Sequence, residues 1–335
     1  MMRRLEVVLR RPVGALPIAA DFEIRERALP DPEPGAELLV RVLYLSFDPY
    51  IGSRLRGRHM GLPAPLPGES LPGECVAEVV RSVHPDFKPG DLVAGEVGWA
   101  DHGLLPATKA RRLVKVTRPS AHLGVLGMPG LTAWAGVTQL ARVRAGDVFS
   151  VNAAAGPVGG TAGQIARLLG ARTVGVAGGP EKCALVRDVY GFDACIDYHA
   201  PDWVTAYADA LGAGSTVHFE NVGATQLATA LSHIQVGARL VLCGLVEHYH
   251  GGPPPQVPLI PIIAKRAHVL GLVVYDFYAR WGEWLDMAVP WVEDGRLRVI
   301  EDVADGLARA PAQFEALMRG LNRGKSLVRV APDAP

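Results

Sequence analysis

From Leu5 to about Val116 apolar and polar positions alternate in short runs, among them ELLVRVLYLS, ECVAEVVRSV and DLVAGEV, with Pro and Gly punctuating the gaps. Side chains on a strand point alternately to its two faces, so runs of this length and period predict a mostly β domain. After Leu131 the pattern changes. VFSVNAA, RTVGVAG, ACIDY, TVHFENVG, RLVLCGL and VLGLVV are short apolar strands, most of them separated by stretches of helical period. Strand and helix in alternation predict a parallel sheet covered on both faces, an α/β architecture. Beyond Ala279 a helix is predicted that packs Trp281, Trp284, Leu285 and Val292 at helical spacing, with Pro290 expected to bend or break it. The closing SLVRV is a strand free to return to the first domain. No internal repeat or low-complexity tail interrupts this order.

Composition narrows the function classes. A chain of 335 residues, 49% hydrophobic, is long enough for two domains with sizeable cores. Its 34 basic and 34 acidic residues cancel, so no global field would draw it to nucleic acid or to an anionic membrane; a small neutral ligand fits better. Cys75, Cys183, Cys195 and Cys243 lie far apart without a CxxC spacing. That argues against a structural zinc lobe and a disulfide framework, and for reduced thiols in a cytoplasmic protein. The basic start MMRRLEVVLRRP has its apolar run interrupted by Glu6 and Arg10, unlike a secretory signal, and no segment approaches bilayer-spanning length.

Candidate chemistry begins at VFSVNAAAGPVGGTAGQIARLLG, a strand that enters a glycine-bearing turn and then a helix. Against Gly-x-Gly-x-x-Gly it aligns as Ala154, Ala155, Gly156, Pro157, Val158, Gly159, with alanine in place of the first glycine. The flanking strand and helix turn a weak glycine match into a Rossmann-type dinucleotide site, although a ligand-free glycine turn is the alternative. Gly156 would admit a pyrophosphate close to the backbone, Gly159 and Gly163 would seat the helix on the sheet, and the helix amino end would meet the phosphates. The end of the second strand selects the coenzyme. An NAD site places an acid there for the ribose hydroxyls, whereas RTVGVAGGPEK places Ala177, Gly178 and Gly179. With Lys182 in the next helical turn and no acid on that strand, a 2′-phosphate is favoured, hence NADP(H). Lys182 as a solvated surface lysine and Tyr198 as a packing tyrosine remain open.

LSFDPYIGSRL, GMPGLTAW, VNAAAGPVGGTAGQIARLLGA, EKC, FDACIDY, FENVG, LCGLVEHY and LNRGKSLV occur in the order seen in the zinc-free medium-chain reductases. Over nearly its whole length the chain resembles their branch of prostaglandin reductases, leukotriene B4 12-hydroxydehydrogenase, plant double-bond reductases and bacterial curcumin reductase-like proteins. The resemblance implies a GroES-like β domain over residues 1–122, an NADP-binding Rossmann domain over 123–295 and a C-terminal segment, 296–335, returning to the first domain. It also implies a cleft between the domains, commonly a homodimer, and NADPH-dependent reduction of the carbon-carbon double bond of α,β-unsaturated ketones or aldehydes. Gly156, Pro157, Val158 and Gly159 match the family's pyrophosphate turn, and Lys182 and Tyr198 its 2′-phosphate contacts. Asn221, Cys243, Gly244, Tyr249, Leu272, Val273, Val274 and Asn322 match positions that hold the nicotinamide half or the phosphates. Asn221 and Asn322 are each open to a second reading as turn residues.

Zinc-dependent relatives need an early cysteine and a Gly-His-Glu segment; here PGECVAEV has Gly73 and Glu74 with no histidine between them, and YLSFDPY has no cysteine. No metal is expected, and His248 and His250 are expected to be loop residues. Without a metal, reduction of an enone leaves negative charge on the carbonyl oxygen, which hydrogen-bond donors must stabilise. Holding the reacting atoms about 3 to 3.5 Å apart supplies much of the remaining rate. Tyr50, in the Asp48-Pro49-Tyr50 turn, is the first candidate donor and Tyr249 the second; a phenol titrates at about 10 and stays protonated at neutral pH. Tyr50 as a pocket wall is the alternative. Eukaryotic relatives carry a further tyrosine where this chain has Ala264. That departure encourages a reading as an NADPH-binding protein without turnover; among enzymes the nearest rival is an NADPH:quinone reductase, which shares the zinc-free fold. The Pro- and Gly-rich stretches 56–73 and 244–258 are expected to form lids, with poorly ordered surface loops as the alternative.

Overall fold

In the computed structural model, which describes residues 2–249, 251 and 255–332, the alternating runs of the first domain become β1 (Met2–Leu9), β2 (Phe22–Leu29), β3 (Glu37–Ser46), β4 (Glu74–Arg81), β5 (Leu92–Glu96), β6 (Trp99–Ala100), β7 (His102–Pro106) and β8 (Arg111–Arg112). A short helix, α1 (Tyr50–Arg54), follows β3. The chain then builds β9 (Val148–Val151), β10 (Arg172–Ala177), β11 (Ala194–Asp197), β12 (Ser215–Glu220), β13 (Ile234–Leu242) and β14 (His268–Gly271), and ends with β15 (Glu301–Asp305) and β16 (Lys325–Arg329). The remaining helices are α2 (Met128–Trp134), α3 (Pro157–Leu168), α4 (Pro180–Ala184), α5 (Trp203–Leu211), α6 (Ala224–Ser232), α7 (Leu259–Lys265), α8 (Trp281–Glu293) and α9 (Ala310–Met318).

These elements divide into two units, one of Met1–Leu123 with Glu301–Pro335, the other of Gly124–Ile300. In the first, β3 pairs antiparallel with β4, β7 and β16, and β16 is flanked on its other side by parallel β15. β3 is buried on both faces because Leu38, Val40, Val42 and Leu45 enter one core cluster while Leu43 and Tyr44 enter another. At the centre of the larger cluster the rings of Phe22, Phe47, Trp99 and Phe314 meet, the nearest pair, Phe47 and Trp99, at 4.6 Å between centroids. The indole nitrogen of Trp99 donates to the Pro72 carbonyl at 2.8 Å, so this buried ring leaves no polar group unpaired.

The second unit is a parallel six-stranded sheet in the order β11-β10-β9-β12-β13-β14. It extends past Gly295 to Ile300. The Gln164 side chain on α3 holds Arg298 there at both its amide and its carbonyl, 2.7 and 3.3 Å. Pro290 does not break its helix: α8 runs through it from Trp281 to Glu293. Proline removes one donor and frees the carbonyl four residues back. That carbonyl belongs to Asp286, an exposed residue in reach of solvent, so the helix tolerates the loss.

Candidate functional site

From β9 the sheet grows outward in one direction through β10 and β11, and from β12 in the other through β13 and β14. The loops leaving β9 and β12 therefore part at the carboxyl ends of the strands, and such a switch point is where open α/β sheets bind ligands. The β9 loop turns sharply at Ala153, whose φ of 48° lies in the left-handed region that alanine rarely visits. Gly156 caps α3 and Pro157 is its first residue, a position that needs no donor. Val158 and Gly159 stand before the first turn closes and offer their N–H groups at the positive end of a twelve-residue helix. A Cβ on Gly159 would lie 2.5 Å from the Ala153 carbonyl oxygen, so only glycine lets the helix sit this close on the loop.

At the end of β10, Gly178 and Gly179 lead into α4, which carries Lys182. Tyr198, just past β11, packs its hydroxyl over Gly178, where a Cβ would come within 2.9 Å of it. The structure thus brings Gly178 and Tyr198 together, with Lys182 one helical turn away. Burial, aided by the charge of Asp197, raises the Tyr198 phenol above its ordinary range, so it stays a donor. An acid does reach this corner, contrary to the expectation drawn from the strand alone: Asp197 comes from neighbouring β11. Its carboxylate accepts the amides of Gly179 at 2.8 Å and His199 at 3.0 Å, which hold its pKa below the usual value. Two of its lone pairs are spent on the turn.

The loops after β12 and β13 meet on the other side of the switch point. Asn221 is buried; its side-chain amide donates to the Asn152 carbonyl at 3.0 Å, and its backbone amide to the Asn152 side chain at 2.7 Å. The amides of Cys243 and Gly244 both bond the Glu220 carbonyl, at 3.0 and 3.1 Å. Burial, then the Glu220 charge, pushes the Cys243 thiol up to about 12, leaving a neutral thiol. Burial also raises the Tyr249 phenol. Leu272 is buried and tied by its amide to Leu242, whereas Val273 is 45% exposed. His248 lies beside Glu247, and His250 falls outside the described residues.

In the first unit, Tyr50 opens α1, half-buried against the core, with its ring centroid 5.0 Å from that of His59. The turn before it is fixed by Lys325, whose buried ammonium donates to the Phe47 carbonyl at 2.9 Å and to Asp48 at 2.5 Å; Ser46 donates to the other Asp48 oxygen. Asn322 donates to the Gly324 carbonyl at 2.8 Å, which makes it a turn residue in this structure.

Comparison with known proteins bears on both units. Residues 5–114 match the family described as the N-terminal domain of oxidoreductase, and 157–293 the family described as zinc-binding dehydrogenase. The chain is 38% identical to the NADPH-dependent curcumin reductase of Escherichia coli, over 98% of this chain and 96% of that one. It is 35% identical to the NADP(+)-dependent 2-alkenal reductase of Nicotiana tabacum, over 97% of each. It is 34% identical to prostaglandin reductase 1 of Bos taurus, over 96% of this chain and 97% of that one. The crystal structure of CurA from Vibrio vulnificus in complex with NADPH superposes with a TM-score of 0.90 at 33% identity, covering 98% of this chain and 100% of that one. The chain belongs to the medium-chain dehydrogenase/reductase family.

Within that family it stands in the branch of the curcumin, alkenal and prostaglandin reductases. Among this reductase's described residues no group of three or more His, Cys, Asp or Glu side chains is placed to hold a metal ion. Glu74 pairs instead with Arg111 at 3.3 Å, and burial raises its carboxyl above the usual range. Ala264 sits exposed on α7. Three groups escaped the sequence reading: Asp197, Lys325, and a buried set built from Ser150, Asn152, His218 and Glu220. A polar side chain inside a strand that is otherwise apolar is the signal that marks the last set, because burial without a partner costs several kcal/mol.

Proposed function

We propose that the protein reduces the carbon-carbon double bond of α,β-unsaturated ketones and aldehydes with NADPH, without zinc. The observation that carries this reading is the end of β10, which offers Gly178, Lys182 and the Tyr198 hydroxyl where an NADH site keeps an acid on that strand. The names of the relatives and the NADPH complex of a neighbour at 33% identity support the coenzyme and the reaction class. Gly156, Pro157, Val158 and Gly159 would take the pyrophosphate on the amino end of α3, and Lys182 and Tyr198 the 2′-phosphate. Asn221, Cys243, Gly244, Tyr249 and Leu272 to Val274 would line the nicotinamide half, and Asn322 is a further candidate for binding the coenzyme. The bound coenzyme supplies a hydride to the β carbon of the substrate. What the chain must add is a donor for the carbonyl oxygen on which charge then gathers, and Tyr50 and Tyr249 are the candidates.

A spectrophotometric screen of NADPH and NADH oxidation over enones, enals and quinones tests this. Turnover of enones with NADPH supports it, while preference for quinones or for NADH overturns it. Tyr50→Phe and Tyr249→Phe in the same assay separate the donors: an unchanged rate removes that tyrosine from the list.

The same reading includes a homodimer in the cytoplasm. β14 is an edge strand with Val269 45% exposed, and α7 beside β13 leaves Leu259, Ile260 and Ile263 at 66, 79 and 72% exposure. An apolar edge of this kind is covered in stable proteins. Light scattering of Ile260→Asp, expected to be monomeric beside a dimeric parent, checks it. The unpaired state of all four cysteines agrees with a reducing compartment.

A further inference from the structure

Ser150, Asn152, His218 and Glu220 lie on adjacent β9 and β12 or at their ends, each at 0 or 1% exposure. Four polar side chains in the interior of an apolar sheet require partners, and these find them in one another. Ser150 Oγ is 2.8 Å from His218 Nδ1, and His218 Nε2 is 3.0 Å from Glu220 Oε2. Glu220 Oε1 accepts three donors: Asn152 Nδ2 at 2.6 Å and the backbone amides of Val222 at 2.6 Å and Gly223 at 2.9 Å. Burial alone would push this carboxyl up, but the bonds from His218, Asn152 and Gly223 together hold it below its ordinary range.

The set faces outward onto loops. Asn152 receives the Asn221 backbone amide on its side chain and the Asn221 side chain on its carbonyl. The Glu220 carbonyl receives Cys243 and Gly244, and the carbonyls of Asn221 and Val222 receive the amides of Val246 and Glu247. One carboxylate and one carboxamide therefore fasten the loops after β9 and β12 to each other, and the loop after β13 rests on the main-chain carbonyls of Glu220, Asn221 and Val222. The turn at the end of β10 is held separately, the Gly179 amide donating to the Asp197 carboxylate at 2.8 Å.

We propose that Glu220, acting with Asn152, is a positioning residue for the nicotinamide half of the coenzyme: its side chain touches neither ring nor substrate but, with that of Asn152, fixes the backbone of Asn221 to Gly223, on which the loop after β13 rests. The inference rests on the coenzyme reading given above. Misplacement of a reacting ring by about 1 Å costs on the order of a hundredfold in rate, so loosening these loops acts on turnover more than on adhesion.

The test uses adenosine 2′,5′-bisphosphate, which carries the adenine and the 2′-phosphate but no nicotinamide. For Glu220→Ala we expect kcat with NADPH and an enone to fall by tenfold to a hundredfold, while the affinity for the bisphosphate stays within about twofold of the parent's. Glu220→Gln keeps an Oε1 acceptor for all three donors and is expected to restore most of kcat. Asn152→Ala, which leaves the carboxylate and its backbone bonds in place, is expected to fall between them and keeps the test open if Glu220→Ala does not fold. Equal losses of kcat and bisphosphate affinity in the variants would overturn the proposal, as would Glu220→Gln no better than Glu220→Ala. Failure of the parent protein to bind the bisphosphate would instead sink the coenzyme reading, before any variant is made.

Discussion

A lysine with 2% of its side chain exposed must have its charge met, and Lys325 meets it with Asp48, itself only 11% exposed at the side chain. The attraction between such a pair is offset by the cost of taking both from water, so the pair adds little on its own; removing one partner is what hurts. Lys325→Met is accordingly expected to destabilise the protein by about 3 to 5 kcal/mol, because Asp48 keeps a buried charge. Urea titration reads the loss, and Asp48→Asn in the same chain should recover part of it. Lys182, half-buried on α4, is the residue proposed for the 2′-phosphate. A hydrogen bond to a charged group contributes about 1.5 to 3 kcal/mol, so Lys182→Ala should lower kcat/KM for NADPH by roughly tenfold to a hundredfold and leave that for NADH unchanged. An equal loss with both coenzymes would place the lysine outside a 2′-phosphate site.

α3 is seated on the sheet by its glycines, and the tightest contact is at Gly163, where a Cβ would stand 1.8 Å from the Phe192 ring. Gly163→Ala forces ring or helix to move and is expected to cost about 1 to 3 kcal/mol as overpacking. Phe192→Leu in the same chain should relieve much of that, a coupling that a double-mutant cycle on denaturation midpoints would measure. This element was legible in the sequence because strand, turn and helix are contiguous: VNAAAGPVGG displays the whole motif in one window. The end of β10 was legible for the same reason, Gly178 and Lys182 being four residues apart. Asp197 and Glu220 were not. Asp197 reaches the end of β10 from another strand, and the partner of Glu220, Asn152, lies 68 residues away, a pairing that only sheet order creates. Of the two outcomes expected at Pro290, bending or breaking, the break does not occur, and the residue whose carbonyl the proline frees, Asp286, is exposed.

Both ends of the chain build the first unit, and pattern alone could show that SLVRV is a strand but not that it lies between β15 and β3. Formal charge across the whole molecule is zero at neutral pH, so mild acid does not act first through self-repulsion; it acts through individual buried groups. His122 is the clearest of these. Its Nε2 bonds the Val114 carbonyl at 2.9 Å, while its Nδ1 is buried with no partner among the described residues. The neutral ring satisfies that site, whereas a charged ring would carry a second N–H with nowhere to point. Burial first, with the charge of Arg111 adding, lowers its pKa from 6.5 to about 4. Between those values the unfolded chain binds the proton and the folded one does not, so the stabilising contribution is complete above pH 6.5 and drains away as pH falls toward 4. The full drop is on the order of 3 kcal/mol at 1.36 kcal/mol per unit. Glu74, raised by burial, pulls the other way, since its folded form holds a proton more tightly than the unfolded chain does. The difference between parent and His122→Gln isolates the histidine: urea midpoints across this window should fall less steeply in the variant, and parallel slopes would show that His122 does not set the acid limit.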